Sequence, residues 1–370
     1  MIHSRLGMCL LLWGAMAGLG LAEDTGLGER TDAIFVSAGL SNNAPGAAVL
    51  VIKDGHTVLQ RGYGVTELRK RAPIDGGTNF RLASVTKQFT AMSVMLLVRE
   101  GKLRYDENLT EIFPDFPQYG KTITVRNLLN HTSGLLDYED LMPQQPADAA
   151  PVQIKDAGVL DLLKQQRTTR FTPGSRWAYS NSGYAMLAMV VEKISGQPFG
   201  DFLRDRIFVP LKMNHTVAYE RGKNEVSDRA FGHTMEKGVW QVTDQSSTSA
   251  VLGDGGIYSS LVDLAKWDHA LRMQTLLSAD EMRPALTPVK VGDGSVQEPS
   301  GTPAEYGFGW FLNSYKGHRR MWHYGETVGF RTTIQRFPDD NLTIIVLANR
   351  ADLVPQDLAL KVADLYLTAP

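Results

Sequence analysis

Three short constellations carry side chains able to do chemistry together: Ser84-x-x-Lys87, Tyr179-x-Asn181 and His323-x-Gly325. A serine hydroxyl becomes a useful nucleophile when a neighbour takes its proton. A poorly solvated amine tends to lose its own proton and can serve as that neighbour. Residues three apart share a helical face, so Ser84 and Lys87 can touch if a helix begins here. A phenol can relay a proton, and a carboxamide can hold a substrate carbonyl or amide. In an extended or turning tripeptide Tyr179 and Asn181 face the same side. Gly325 has no side chain, so a substrate could lie against a strand at that point. Each pattern also has a plainer explanation when taken alone. Ser84 could cap a helix; Tyr179 could be a core aromatic and Asn181 a helix cap. His131 is a further candidate, better read as a structural residue that ties down a loop through hydrogen bonds.

The elements that must position these residues can be read from the pattern of apolar residues. Val85 to Val98 is apolar on nearly every face and is followed by Gly101, which predicts a buried helix with a glycine C-cap. Ser84 then sits near the helix N-terminus, where free N–H groups favour developing negative charge. Ahead of it, residues 28–41 predict an amphipathic helix. Ala47–Lys53 and Thr57–Gly64 predict a hairpin turned at Asp54-Gly55. After it, Thr124–Asn130, 154–167, Tyr184–Ile194, Phe199–Leu211, Leu261–Leu271 and 278–288 predict helices. Tyr105–Tyr119, 139–152, 215–250 and Lys290–Glu305 predict loops, and Gly253–Ser260 a glycine-rich turn at a cleft wall. From Tyr306 to Asn349 the period returns to two, predicting successive antiparallel strands, and Gln356–Leu367 predicts a last helix. The fold class is therefore α+β. An antiparallel sheet built from both chain ends (about 28–80 and 305–370) is flanked by helices, with a mainly helical insertion (about 81–304).

Composition narrows the function. The chain has 370 residues, 43% hydrophobic, and a net charge of −2 with Lys and Arg spread along it. Nothing in that balance points to nucleic acid or an anionic membrane surface. Residues 1–22 read as a secretory signal: Arg5, an apolar core from Leu10 to Leu21, and Gly20-Leu21-Ala22 before a cut at Glu23. The rest, 23–370, would be one catalytic domain with no membrane segment after cleavage, periplasmic or secreted. Cys9, the only cysteine, falls inside the signal, so the mature chain would have no disulfide and no thiol nucleophile. The eight histidines form no His-Glu-x-x-His pattern and the mature chain would have no cysteine, so a zinc hydrolase is not expected, and an acyl-serine route calls for no metal and no cofactor.

Taken in order, and with this sheet–insertion–sheet arrangement, the three motifs resemble those of the serine beta-lactamase/D,D-peptidase superfamily. More narrowly, the chain resembles the class C beta-lactamase-related serine hydrolases. His131-Thr-Ser-Gly-Leu and Gly255-Gly-Ile-Tyr-Ser are also similar to stretches of that group. The resemblance spans residues 30 to 368. It implies that Ser84 is the acylated nucleophile and that Lys87 and Tyr179 share proton transfer, with the resting base left open between them. It implies that Asn181 binds the substrate amide and that the backbone N–H groups of Ser84 and Glu326 form the oxyanion hole. His323 and Tyr324 stand where class C enzymes usually have Lys and Thr. A histidine is mostly neutral near pH 7, which puts recognition of anionic substrates in doubt. Arg331 or Arg350 could supply the charge instead. The implied activity is that of an exported serine hydrolase acting on a small-molecule or peptide ester or amide. A D,D-carboxypeptidase, a beta-lactamase and a non-catalytic penicillin- or peptidoglycan-binding sensor are the alternatives.

Overall fold

The computed structural model describes residues 25–144, 151–292, 296–297, 301 and 304–368. The signal expected at 1–22 and part of the loops expected at 139–152 and Lys290–Glu305 lie outside the described residues. The strands are, in chain order, β1 (Ala47–Lys53), β2 (His56–Tyr63), β3 (Phe80–Arg81), β4 (Val217–Ala218), β5 (His233–Glu236), β6 (Val239–Val242), β7 (Ile257–Ser259), β8 (Glu305–Tyr306), β9 (Phe311–Tyr315), β10 (His318–Thr327), β11 (Phe330–Phe337) and β12 (Leu342–Ala348).

The main sheet has the order β2-β1-β12-β11-β10-β9-β8, so the N-terminal hairpin is zipped onto the last strand. Pairing is antiparallel throughout, with Val49 opposite Val346 and Leu50 opposite Ile345. Both β1 and β12 are buried along almost their whole length, because each face of the sheet is covered. On one face Val49, Val51, Ile344 and Val346 pack with Phe35 of the first helix and with Leu358 and Val362 of the last. On the other, Leu50, Ile345 and Leu347 join the large core of the helical layer. Asp54 and Gly55, both at positive φ, make the hairpin turn that their types suggested.

The buried helix runs from Lys87 to Arg99, and its residues Lys87 to Leu97 are all buried. Gly101 adopts φ 66° and ends it: Gly101 N–H donates to Val98 and Lys102 N–H to Leu97, the paired bonds of a glycine-capped terminus. The segment before the helix differs from expectation. Ser84 lies in a separate 3₁₀ turn, Ala83–Thr86, rather than in the first α-helical turn. Local signals missed elsewhere explain other differences. Asn108 and Glu111 form a capping box that starts a short helix, Leu109–Ile112, inside the expected loop. Residues 215–250 contain β4 and the β5–β6 hairpin, and β7 joins β3 and β4 in a second small sheet. The helix from Phe199 is α-helical only to Leu203 and then widens to a π turn, Arg204–Phe208.

Candidate active site

The turn that carries Ser84 is clamped from two sides. Ala83 takes φ 48°, a left-handed conformation uncommon for a residue with a Cβ, and so throws Ser84 out of the strand direction of β3. Thr332 of β11 donates its hydroxyl to the Leu82 carbonyl (2.7 Å). At Gly325 of β10 a Cβ would stand 2.1 Å from that same Leu82 oxygen and 2.4 Å from Thr332 Oγ1. Glycine is therefore needed here so that the strand can press against the nucleophile turn. This packing role was not part of the sequence reading, in which the missing side chain made room for substrate.

Lys87, the first residue of the central helix, is wholly buried. Its Nζ has three partners at 2.9 Å: Ser84 Oγ, Asn181 Oδ1 and the Asp254 carbonyl oxygen. Burial pushes the amine down from 10.5 to about 8, while the carboxylates of Asp254, Asp137 and Glu139 pull it up. An ammonium would spend all three protons on these partners. A neutral amine keeps two, enough for Asn181 and Asp254, and its lone pair then faces the Ser84 hydroxyl. In its neutral form the amine thus aims its basic electron pair at the nucleophile.

Tyr179 and Asn181 do come to the same side. The Lys87 Nζ sits 4.9 Å from the centre of the Tyr179 ring. The Tyr179 hydroxyl is buried without a hydrogen bond, and burial raises its pKa while the neighbouring Ser84 lowers it. The tripeptide is held by its middle residue. Ser180 is the cap of helix Asn181–Ser195, its Oγ accepting from Gly183 N–H at 3.1 Å. Its own N–H donates to His131 Nδ1 at 3.1 Å, and Ala178 N–H donates to the His131 carbonyl. His131, buried and at φ 61°, is thus the loop anchor expected from sequence. Burial, Lys87 and His323 push its pKa well below 6.5, so it is neutral.

His323 is fully buried and points towards the helical layer. Its ring is fixed at both nitrogens: Nδ1–H donates to the Tyr324 carbonyl (2.7 Å) and Nε2 accepts from the Tyr306 hydroxyl (3.0 Å). Burial and the nearby Lys87 hold its pKa down at about 3. It supplies shape and a polar contact but no positive charge at neutral pH. The two arginines considered as substitutes are already engaged. Arg331 pairs with Glu326 (2.9 Å) and donates to the carbonyls of Thr327, Val328 and Phe330. Arg350 pairs with Asp352 (2.6 Å) and donates to Gly39 and Pro45. Neither is a free cation for a substrate carboxylate, which corrects that expectation.

Glu326 turns its side chain outward to Arg331 and offers the site only its backbone. The pairing of β10 leaves that backbone accessible on one side. β10 pairs with β9 only as far as Trp322, but with β11 as far as Thr327. From His323 to Thr327 one edge of the strand therefore lacks a strand partner among the described residues. An extended peptide could add to that edge.

Several contributors were not legible in the sequence. The glycine-rich stretch from Gly253 brings in the Asp254 carbonyl, which grips Lys87. The Asp254 carboxylate is buried and accepts from the Tyr138 hydroxyl at 2.9 Å. Burial raises its pKa, opposed by Lys87 and Tyr138. Backbone atoms carry no residue-type signal, so the first of these contacts has no sequence mark. No cluster of His, Cys, Asp or Glu among the described residues is arranged to hold a metal.

Comparison with known proteins identifies the family and the fold. A beta-lactamase family model matches residues 29–367. The chain is 31% identical over 316 residues to penicillin-binding protein 4* of Bacillus subtilis, covering 82% of this chain and 68% of that protein. It is 31% identical to a D-aminopeptidase of Brucella anthropi, covering 82% of this chain but only 56% of the relative, so it spans little more than half of that protein. Among solved structures, an octameric penicillin-binding protein homologue from Pyrococcus abyssi aligns with TM-score 0.77, 24% identity and coverage of 92% and 77%. A D-amino acid amidase from Ochrobactrum anthropi aligns with TM-score 0.75, 24% identity and coverage of 92% and 99%. These structures share the fold. With the family model matching nearly the whole chain, the protein belongs to the beta-lactamase family and is a serine hydrolase of the beta-lactamase/transpeptidase-like superfamily.

Proposed function

We propose that the protein is an exported hydrolase that cleaves esters or amides through an acyl-Ser84 intermediate. The observation that carries this reading is the Lys87 amine, buried and depressed to about 8, with one of its three partners being Ser84 Oγ. The neutral amine takes the Ser84 proton as Oγ attacks the carbonyl carbon. The backbone N–H groups of Ser84 and Glu326 receive the oxyanion. Asn181 uses its oxygen on Lys87, which leaves its NH₂ for a substrate carbonyl. Tyr179, with its hydroxyl unpaired beside Ser84, passes the proton to the leaving group; water then attacks the ester with the proton transfers reversed. His323 and Gly325 shape the strand along which the substrate lies. Export rests on Arg5, the apolar core and Gly20-Leu21-Ala22, and is read by N-terminal sequencing, which should begin at Glu23.

Substrate choice follows from charge. His323 is neutral and both candidate arginines are paired, so nothing described at the strand edge offers a free cation to a carboxylate. Neutral esters and D-amino-acid amides therefore suit the site better than benzylpenicillin or a peptide ending in a free carboxylate. The test is a panel of p-nitrophenyl butyrate, D-alanine p-nitroanilide and benzylpenicillin. A kcat/KM for the first or second that exceeds the third by about 10² or more is expected, the size of a lost charged contact of about 3 kcal/mol. Faster turnover of benzylpenicillin would make the protein a beta-lactamase and sink the preference.

A further inference from the structure

At the far end of β10 from the nucleophile lies a second concavity, with a volume of about 480 Å³, within the range of small-molecule sites. Its walls come from the β1–β2 turn, strands β9 and β10, the β11–β12 turn and the last turns of the helix Leu261–Arg272. Arg320 borders this cavity and Glu326 the serine site; six residue steps along the strand, about 20 Å, separate them. No residue of the Ser84 constellation contributes to it.

The floor is apolar, formed by Ile52, Leu271, Leu312 and Met321. The walls are cationic. Arg336 gives its Nε to Asp268 (2.8 Å), a carboxylate that also accepts from Thr343 Oγ1. Its Nη1 meets only the Met321 sulfur at 3.6 Å, a weak acceptor. Arg272 is the more telling residue. It has no carboxylate partner among the described residues; its Nη2 reaches only the Gly55 carbonyl (3.5 Å) and His269 Nδ1 (3.2 Å). Its Nε is buried without a hydrogen bond. The guanidinium lies close against Gly55, where a Cβ would stand 2.3 Å from Nη2. A guanidinium with no carboxylate partner among the described residues and a buried, unused donor is set up to receive an anion. Glu305 at the mouth is exposed and is the remaining carboxylate of the lining.

We propose that this cavity is a binding site for a small organic anion, a carboxylate with an apolar body, distinct from the acyl-serine site. The carboxylate takes the Arg272 and Arg336 guanidinium groups and the apolar body covers Leu271, Leu312 and Met321. The probe is octanoate, titrated calorimetrically into the full-length mature protein and into Arg272→Met, with octanol and inorganic phosphate as controls. Octanoate should bind the wild type, and Arg272→Met should weaken it tenfold or more while keeping wild-type ester turnover and melting temperature. Octanol, lacking the charge, and phosphate, lacking the apolar body, should each bind at least tenfold more weakly than octanoate. Absence of octanoate binding overturns the site. Binding that Arg272→Met leaves unchanged places the probe elsewhere, in the serine cleft for instance, and also overturns it. Phosphate binding as tightly as octanoate overturns the ligand class.

Discussion

Replacing Ser84 by Ala is expected to lower kcat for p-nitrophenyl butyrate by about 10⁶, with KM changed less than about threefold. The size follows from the division of labour in the site. Among the described residues Ser84 Oγ is the one hydroxyl bonded to the Lys87 amine, so its loss removes the acyl-enzyme route altogether. What survives is attack by water on a substrate still held by Asn181 and the two backbone donors. KM changes little because Ser84 contributes a small hydroxyl, whereas the walls of the site come from Tyr179, His323 and the edge of β10. The measurement is steady-state kinetics on the purified variant, with circular dichroism to show that it is folded. A loss below about tenfold would mean that another group, or water directly, attacks the substrate.

Lys87→Met should cost about 10³–10⁴ in kcat/KM near pH 7, the upper range for a group that transfers protons, and should also change the shape of the pH profile. In the wild type the amine, at about 8, is roughly one-tenth neutral at pH 7. Activity should therefore rise with pH through about 8 and level off above it, because the neutral form is the base. The variant should lack that rise. Tyr179→Phe separates the two candidates for resting base. Burial raises the Tyr179 phenol above its usual value, so phenolate is scarce at neutral pH and Lys87 is the better resting base. Tyr179→Phe should then lower the plateau while leaving the midpoint near 8. A midpoint that persists in Lys87→Met but vanishes in Tyr179→Phe would reverse the two roles.

Much of this site could be read from residue types because the chemistry demands unusual residues in buried surroundings. A lysine opening an all-apolar helix is costly unless it is used, and Lys87 stood out for that reason. Tyr179 and Asn181 were legible as a pair because alternate residues of an extended tripeptide share a side, whereas the helix cap proved to be Ser180 between them rather than Asn181. The sheet was legible at β1 and β12, where long apolar runs end in clear turns. Other features left no mark. β3, β4 and β7 are two or three residues long, too short for a period, and are strands only because they find one another. The 3₁₀ turn at Ser84 depends on Leu82 being held by Thr332 of a strand some 250 residues away. The charge state of His323 depends on burial and on the nearby Lys87, neither of which its immediate neighbours in sequence reveal.

The most direct test of an acyl-Ser84 mechanism is mass spectrometry of the intact mature protein, acid-quenched during turnover of p-nitrophenyl butyrate. A fraction of the protein should carry the mass of one butyryl group, mapped by peptide fragmentation to Ser84 and absent from Ser84→Ala. Turnover without any adduct on the protein under a quench that preserves esters, or an adduct mapped to another residue, would contradict it.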